Sequence, residues 1–441
     1  MLSGPQSVLS YRERVLVPES NPELLLPPRT RLLHIGPMKT GTTSIQGAAS
    51  ARRSKLLEHG VRYPGAWFNH GRQLGALMGY SVDTWKRPAP LRPDLLDVDK
   101  AGVPPARLWT DLEREIDADR ERRIFITHEF VSQADDATAR RIVDALGERT
   151  HVCLTLRSPG QIVPSLWAQG IRDDAQTEPF EQWLDRFYGK DPEHPMSGRF
   201  LRAYDQADLI ERWAQLVGPD NITVVIVDPA QPTQLTDSFE AMLGLPAGML
   251  TWGRTNRSLT APEVELFRIA NIELRERGAD WLSYFDLVRK GAILYGAQRR
   301  KLSADEPRVA LPAWAARIAD QDGRDFADCI ARSAVRVVGD LNALALPSRS
   351  ADLPQIDQVP VDLAAPAIAA AVLAAQERRA KEAASHTCPT FTQRAGELPD
   401  GQRAGTLASN FSTRELAAAL TRRLVYKLRT RKTHPTNGRA V

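Results

Sequence analysis

Residues 32–46, with the sequence LLHIGPMKTGTTSIQ, constrain the fold of this chain more than any other run. Their first four residues, 32–35, are apolar or β-favouring and predict a buried strand, which Gly36 and Pro37 end. The hydroxyl-rich residues that follow favour the first turn of a helix. A strand joined to a helix by a tight glycine turn is a building unit of parallel α/β sheets, and such a helix N-terminus binds phosphate or sulfate. The run therefore predicts an anion-binding loop.

The position of the lysine separates the classes of anion-binding loop. A Walker A loop has the pattern G-x-x-x-x-G-K-[ST]. Gly36 and Gly41 have the required separation, but Thr42 occupies the lysine position and Lys39 lies inside the loop. This displacement argues against an ordinary ATP- or GTP-binding loop. A P-loop nucleotide kinase or NTPase remains the alternative. Such a protein needs a Walker B aspartate, and Asp228 follows a predicted strand, but its neighbours do not decide whether it has that role.

Strand-like and helix-like segments alternate up to about residue 230. The predicted strands are 31–36, 122–128, 150–156 and 221–228, and the predicted helices between them include 40–58, 137–147 and 205–217. Strands separated by helices indicate a parallel sheet that is covered on both faces. We therefore expect an α/β fold with three layers, α/β/α, around a central parallel sheet, followed by a C-terminal helical extension. Ligands of such sheets bind beyond the carboxyl ends of the strands.

The predicted strand at 150–156 ends in a group suited to phosphate. Arg157 lies at the strand tip, and Ser158 and Pro159 are typical of a helix start. Ser165 follows Arg157 by eight residues, on the predicted helix. An arginine guanidinium can bind phosphate through two parallel hydrogen bonds. Pro164 removes one backbone hydrogen bond just before Ser165 and predicts a kink there.

The predicted strand at 122–128 ends in Thr127-His128-Glu129, which offers two candidate proton acceptors. Histidine titrates near neutral pH, whereas a glutamate needs a pKa raised by burial to serve as a base. Adjacent residues of an extended segment point to opposite sides. We therefore expect one of the two to face the reacting groups and the other to make a capping or structural contact.

Together, these three strand ends resemble the sulfotransferase family, whose 5′-phosphosulfate loop has the pattern P-K-[ST]-G-T-T-[SW] after a strand. The resemblance covers roughly residues 31–230 and is strongest in 32–46. Met38 stands directly before Lys39, where many members have proline, and Pro37 lies one place earlier.

The resemblance implies transfer of a sulfuryl group from 3′-phosphoadenosine 5′-phosphosulfate (PAPS) to a hydroxyl or amine of a carbohydrate, lipid or small molecule, without a metal. It implies that Lys39 binds the 5′-phosphosulfate and stabilises the leaving group, and that Arg157 and Ser165 bind the 3′-phosphate. The loop residues that would donate N–H and hydroxyl groups are Thr40, Gly41, Thr42, Thr43 and Ser44. His128 or Glu129 would be the base. A sulfotransferase-like protein that binds without catalysis is a further alternative.

Composition predicts three regions: a loosely structured leader at 1–30, a domain at 31–346, which the resemblance implies is catalytic, and an Ala/Pro-rich, partly flexible tail at 347–441. The catalytic domain divides into a core at 31–260 and a helical part at 261–346. Residues 252–260 either close over the adenosine or cap the next helix, with Glu263 completing a capping box. Acceptor specificity is expected in the aromatic-rich segment 60–110, where His70 is one candidate contact.

The charge and cysteine content bound the partners and the compartment. A net charge of +4 does not indicate nucleic acid, and the basic residues gather near the C-terminus. There, residues 413–432 predict a basic amphipathic helix, which would contact an anionic membrane or a protein partner, or pack on the catalytic domain. Three dispersed cysteines and an N-terminus without signal-peptide layout favour a cytoplasmic protein.

Overall fold

The structure is a computed structural model of the chain. It describes residues 22–80, 102–251, 257–351 and 358–386, together with residues 15–16, 91, 253 and 356. The chain divides into two compact units, Met1–Arg379 and Ala380–Val441. In the part of the chain that the structure describes, no helix combines the length and the apolar character needed to cross a membrane.

A sheet of seven parallel strands forms the centre of the first unit, in the spatial order β1-β7-β6-β5-β2-β4-β3. The strands are β1 (Val15–Leu16), β2 (Arg31–His34), β3 (Val61–Arg62), β4 (Arg123–Thr127), β5 (Thr150–Leu156), β6 (Ile222–Ile226) and β7 (Arg336–Val338). After β2, the chain adds β3 and β4 on one side of that strand and then β5, β6 and β7 on the other side. Such a reversal opens a crevice at the carboxyl ends of the central strands, which is the usual ligand site of these sheets.

Helices connect the strands and form the helical part. The α-helices are α1 (Thr42–Ala51), α2 (Arg53–Glu58), α3 (Gly71–Met78), α4 (Arg107–Ala118), α5 (Asp136–Leu146), α6 (Pro159–Asp173), α7 (Phe180–Phe187), α8 (Gly198–Arg202), α9 (Gln206–Val217), α10 (Gln234–Leu243), α11 (Ala261–Glu276), α12 (Trp281–Ser283), α13 (Ala313–Arg332) and α14 (Val361–His386). A π-helix, Tyr284–Gly296, directly follows α12.

Alternate residues of the strands face opposite layers. Leu33, Ile126 and Val152 belong to one core cluster, which helices α3, α4, α5, α9 and α13 cover. Leu32 and Phe125 belong to a second cluster on the other face, with helices α1, α2 and α10. A side-chain period of two produces this division. The predicted three-layer parallel α/β/α fold is confirmed.

Three stretches differ from the sequence expectations. Within the predicted leader, Leu24 and Leu26 are fully buried, and β1 pairs with β7, so these residues belong to the packed fold. Within the part at 261–346, which the sequence predicts to be helical, the segment Arg336–Val338 is a strand, as its two valines favour. In the predicted tail, α14 packs Leu363 and Ala367 into the core of the first unit. Residues 413–432 lie outside the described residues.

Candidate anion-binding and proton-transfer site

The anion-binding loop leaves the sheet at its centre. Strand β2 pairs with β4 on one side and β5 on the other, so that His34 lies opposite both Thr127 and Cys153. The loop after β2 is therefore flanked by the segment that begins with His128 and by the one that begins with Arg157. The structure brings together the three strand ends on which the sequence prediction depends.

The backbone of the loop is shaped for an anion. Lys39 has φ 75° and Gly41 has φ 90°, both in the left-handed region. Gly41 is the N-cap of α1 and provides no side-chain cap, so the N–H groups of Thr42 and Thr43 find no acceptor among the described residues. Left-handed turns that precede a helix gather N–H groups into a concave anion site. Glycine suits position 41, because a φ of 90° strains any residue with a Cβ, and a Cβ there would also displace Leu235, whose Cδ2 would lie 2.3 Å away.

Lys39 is a half-buried cation without a counter-ion. No hydrogen bond or ion pair joins its ammonium group to any residue that the structure describes. Burial and the positive charges of Arg172 and Arg157 together lower the pKa of Lys39 to about 8, while the negative charge of Asp173 opposes them. The loop therefore holds a positive charge that a bound anion would stabilise.

The nearby carboxylate is already engaged by two arginines. Asp173 accepts two hydrogen bonds from Arg172, at 2.9 and 2.7 Å, and one from Arg289 Nε at 2.7 Å. Burial raises the pKa of Asp173, but the charges of Arg172 and Arg289 together hold it below its usual value. The cluster around Lys39 therefore carries more positive than negative charge.

One face of α6 lies against the loop. Arg157 donates from Nε to Gln161 Oε1 at 2.6 Å and from Nη1 to the carbonyl of Lys39 at 3.4 Å. Gln169 donates to Met38 Sδ at 3.4 Å. Gln161, Ser165 and Gln169 recur at intervals of four residues, and all three are half-buried. Ser165 thus shares the helix face that extends from Arg157 along the loop.

Pro164 does not interrupt this arrangement. It lies inside α6, which is continuous from Pro159 to Asp173. The kink expected from its missing N–H therefore does not end the helix before Ser165.

His128 and Glu129 have different surroundings. His128 is buried; its Nδ1 accepts the backbone N–H of Phe130 at 3.1 Å, and its Nε2 lies where a Cβ on Gly71 would come within 2.3 Å. Burial lowers the pKa of His128. Glu129 is half-buried, and its Oε2 accepts a hydrogen bond from Gln46 Nε2 at 2.9 Å.

The hydroxyl-bearing residues of the loop are not equivalent. Thr40 is fully buried, and its hydroxyl donates to the carbonyl of Pro37 at 2.7 Å, so it points towards the sheet. Thr42 is also buried, whereas Thr43 is exposed and Ser44 is half-buried. The hydroxyl of Thr40 is therefore used inside the fold, whereas those of Thr43 and Ser44 are accessible. The assignment of all five residues to donor binding stays a prediction.

Sequence reasoning missed Gln46, Gln161 and Arg172. Gln46 is a buried polar residue between the apolar positions of α1, and it orients Glu129 while accepting from Asn69 Nδ2 at 3.3 Å. Gln161 lies halfway between Arg157 and Ser165, so the helical spacing was a usable signal. Arg172 continues near that face, but its closeness to Lys39 depends on the tertiary fold.

Two other predicted contacts turn out to be structural. Thr260 is the N-cap of α11, and its N–H donates to Glu263 Oε2 at 2.9 Å, so the capping interpretation is confirmed there. Arg257 pairs with the same carboxylate through two bonds of 2.6 Å. Arg254 and Asn256 lie outside the described residues.

In the aromatic-rich segment, His70 is buried and joins Pro64 to Thr127. Its Nε2 lies 3.0 Å from the carbonyl of Pro64, and Thr127 N–H donates to its Nδ1 at 3.1 Å. By contrast, Trp67 and Phe68 are 48% and 41% exposed. Trp85 lies outside the described residues.

Two observations bear on nucleotide and metal chemistry. Asp228 Oδ1 accepts the N–H of Ala230 at 2.8 Å and so closes its own turn. Within the described ranges, no three His, Cys, Asp or Glu side chains are grouped as a metal site would require.

The comparisons with known proteins are limited. No protein-family model matches the sequence, and no curated protein matches it. Among solved structures, the chain is similar to a sulfotransferase from Alicyclobacillus acidocaldarius, with 18% identity and a TM-score of 0.37. The match covers 56% of this chain and 94% of that one. A TM-score this low carries no argument about activity.

Proposed function

We propose that this protein is a sulfotransferase, which transfers a sulfuryl group from PAPS to a hydroxyl or amine of an acceptor. The observation that carries the proposal is Lys39. It is a half-buried cation without a counter-ion, at the N-terminus of a helix whose first N–H groups have no acceptor among the described residues. Arg157 lies beside it and extends the cationic surface towards Ser165. This arrangement fits a ligand with two anionic ends.

The reaction that fits these groups is an in-line displacement at sulfur. The acceptor oxygen forms a bond to sulfur, the bond from sulfur to the 5′-phosphate oxygen breaks, and the acceptor proton passes to a base. Lys39 and the loop N–H groups would stabilise the negative charge that develops on the departing phosphate. Their contribution is electrostatic and requires no covalent intermediate.

We assign the base to Glu129 rather than to His128. The lone pair of His128 Nδ1 is used by the N–H of Phe130, so the neutral ring carries its proton on Nε2 and has no free site for another. Glu129 is half-buried, and the one described hydrogen bond to its carboxylate comes from the neutral amide of Gln46. That bond fixes the carboxylate and leaves one oxygen for the acceptor proton.

The acceptor is proposed as a hydroxyl of a carbohydrate, lipid or small molecule. Gln46 links Glu129 to Asn69, and Asn69 directly follows the exposed Trp67 and Phe68. Exposed aromatic faces beside a base suit a substrate with an apolar or sugar face. The contact of residues 413–432 with a membrane or a protein remains a proposal from the sequence alone.

The alternative of a P-loop kinase or NTPase is less well supported. Thr42 stands where a Walker A loop has its lysine, and the carboxylate of Asp228 closes a turn rather than remaining available. A binding protein without catalysis is the other alternative, and a transfer assay separates it from an enzyme.

Incubating purified protein with PAPS carrying a radiolabelled sulfuryl group, together with metabolites extracted from the source cells, tests the proposal. We expect label to move into an organic product, and we expect transfer to require both Lys39 and Glu129. The exposed Lys55→Met variant is the matched control for Lys39→Met. Transfer of the γ-phosphate of ATP, with no transfer of the sulfuryl group, would show that the protein is a kinase and not a sulfotransferase. Tight binding of adenosine 3′,5′-bisphosphate without transfer to any acceptor would favour the binding protein.

A further inference from the structure

A chain of buried hydrogen bonds lies directly beneath the anion-binding loop. His34 Nδ1 is 2.9 Å from Thr127 Oγ1, and His34 Nε2 is 3.1 Å from Thr155 Oγ1. Thr155 Oγ1 is in turn 2.7 Å from Thr40 Oγ1, which is 2.7 Å from the carbonyl of Pro37. All four side chains are fully buried. This series of hydrogen bonds crosses the adjacent strands β4, β2 and β5 and ends in the anion-binding loop.

The carbonyl of Pro37, at the end of this series of hydrogen bonds, determines where each proton lies. The carbonyl of Pro37 can only accept, so Thr40 donates to it and must accept from Thr155. Thr155 has then used its one proton and accepts from His34 Nε2–H. A neutral imidazole with a proton on Nε2 accepts at Nδ1, so Thr127 donates there. Burial lowers the pKa of His34 to about 3, which agrees with a neutral ring.

Each group at the surface of the site lies within two residues, in the sequence, of a member of this series of hydrogen bonds. Lys39 is adjacent to Thr40, Glu129 comes two residues after Thr127, and Arg157 comes two residues after Thr155. The hydrogen bonds therefore connect the backbone segments that carry the cation, the base and the arginine. Histidine suits the centre, because it donates and accepts at the same time from opposite sides of a rigid ring.

The close approach of the loop to Thr155 is a second, independent feature. A Cβ on Gly36 would lie 1.7 Å from Thr155 Oγ1 and 2.8 Å from Thr40 Oγ1. Only glycine leaves room for these hydroxyls under the loop. The ring of His34 is also held edge-on by Phe239, at 4.9 Å between ring centroids.

We infer that His34 is a positioning residue, whose Nε2–H tautomer, through Thr155 and Thr40, sets the geometry of the Lys39 loop relative to the strand ends that carry Glu129 and Arg157. The inference rests on the proposed function, because the ligand it concerns is adenosine 3′,5′-bisphosphate or PAPS. His34 itself is buried and touches no substrate.

Thr155→Val tests this inference, because it keeps the shape of the side chain but removes both the donor and the acceptor. We expect the Kd for adenosine 3′,5′-bisphosphate to rise about tenfold, as for one lost hydrogen bond in a buried network. Thr155→Ser restores the hydroxyl and should bind within about threefold of the wild type. Thr223→Val is the matched control, because Thr223 Oγ1 makes a similar buried bond of 2.8 Å to His151 Nε2 on the same sheet. It should lose similar stability and keep its affinity.

A spectroscopic measurement tests the tautomer without depending on function. In protein labelled with ¹⁵N-histidine, the His34 signal, identified by its loss in His34→Gln, should show a protonated Nε2, an unprotonated Nδ1 and no titration between pH 8 and about 5. The opposite tautomer would overturn the inference even if Thr155→Val failed to fold.

The two proposals fail in different ways. If the wild type does not bind the bisphosphate, the proposed function fails. The histidine spectrum then still shows whether His34 has the tautomer that this series of hydrogen bonds requires. If the wild type binds it and Thr155→Val binds it equally well, the proposed function stands and the positioning role of His34 is wrong.

Discussion

The site has an outer layer of side chains that face the ligand and an inner layer of buried side chains beneath them, one or two residues away in the sequence. The two layers differ in how far their hydrogen-bonding groups are already used. In the outer layer, the ammonium group of Lys39 has no partner among the described residues, and the carboxylate of Glu129 has one neutral partner there. In the inner layer, His34 and Thr155 use their hydrogen-bonding groups completely. The inner layer fixes the backbone at low dielectric, and the outer layer keeps its charge for a ligand.

The same contrast separates His128 from Glu129. Both are candidate bases by residue type, but His128 caps the turn that begins at Glu129 and packs edge-on against Phe130, with ring centroids 4.9 Å apart. The lesson is that a titratable side chain becomes available for chemistry only where the fold leaves its lone pair unused.

The largest expected effect separates the two candidate bases. Glu129→Gln should lower kcat for sulfuryl transfer by about 10³-fold, because the amide cannot accept the acceptor proton, while binding of adenosine 3′,5′-bisphosphate stays unchanged. His128→Asn, which keeps an acceptor for the N–H of Phe130, should retain most of its turnover. Steady-state kinetics with a fixed acceptor measure both. The reverse order of the two effects would assign the base to His128.

Removing the charge of Lys39 should have the next largest effect. Lys39→Met should lower kcat/KM for PAPS by about 10²- to 10³-fold, since the developing charge on the phosphate loses its cation. Without ligand, the variant should be at least as stable as the wild type, because it loses a half-buried cation next to Arg172. Kinetics and urea denaturation measure the two parts. A clear loss of stability would mean that the ammonium group of Lys39 has a stabilising partner in the fold, as the side chains of the inner layer do.

Arg157 should affect recognition of the 3′-phosphate more than chemistry. Arg157→Met should weaken adenosine 3′,5′-bisphosphate about 10- to 100-fold, the range for charge-assisted hydrogen bonds. Binding of adenosine 5′-monophosphate, which lacks the 3′-phosphate, should change little. Isothermal titration of both nucleotides gives the ratio, with the exposed Arg149→Met as control. Equal losses for the two nucleotides would place Arg157 elsewhere than at the 3′-phosphate.

The buried histidines should make the fold sensitive to mild acid. Burial lowers the pKa of His34 to about 3 and that of His70 to about 4, below the usual 6.5. Between pH 6.5 and 4 the unfolded chain therefore binds more protons than the folded one, so stability falls as pH falls. Each histidine contributes about 1.4 kcal/mol per pH unit to this slope.

Urea denaturation between pH 7 and 4.5 measures the slope. His70→Gln should reduce this slope by the share of one histidine. A free energy of unfolding that does not change over this pH range would contradict the neutral state of the inner layer.

Much of this architecture could be predicted from the sequence. The apolar runs that became β4, β5 and β6 are rich in β-branched residues, and β2 is followed directly by the glycine turn that ends it. The residues that follow these four strands lie at the carboxyl ends of a parallel sheet. The short strands β1, β3 and β7 could not be predicted, because two or three residues carry no periodicity. The core position of Leu24 and Leu26 depends on contacts distant in sequence.

The site was predictable in outline but not in detail. The order of Lys39, Glu129 and Arg157 along the chain, with strand ends before each, sufficed to place them together. The choice between His128 and Glu129 depends on one hydrogen bond to Phe130, and the role of Gln46 depends on how α1 packs against the end of β4. No spacing in the sequence reports such contacts.

Binding of adenosine 3′,5′-bisphosphate with proton counting tests the central claim most directly, namely that Lys39 is a cation without a counter-ion that the ligand neutralises. Titration calorimetry at pH 8, near the pKa of free Lys39, in buffers of different ionisation enthalpy counts the protons exchanged on binding. The ligand should raise the pKa of Lys39, so the wild type should take up part of a proton and Lys39→Met should take up less. Binding without proton uptake, or the same uptake in both proteins, would contradict the account.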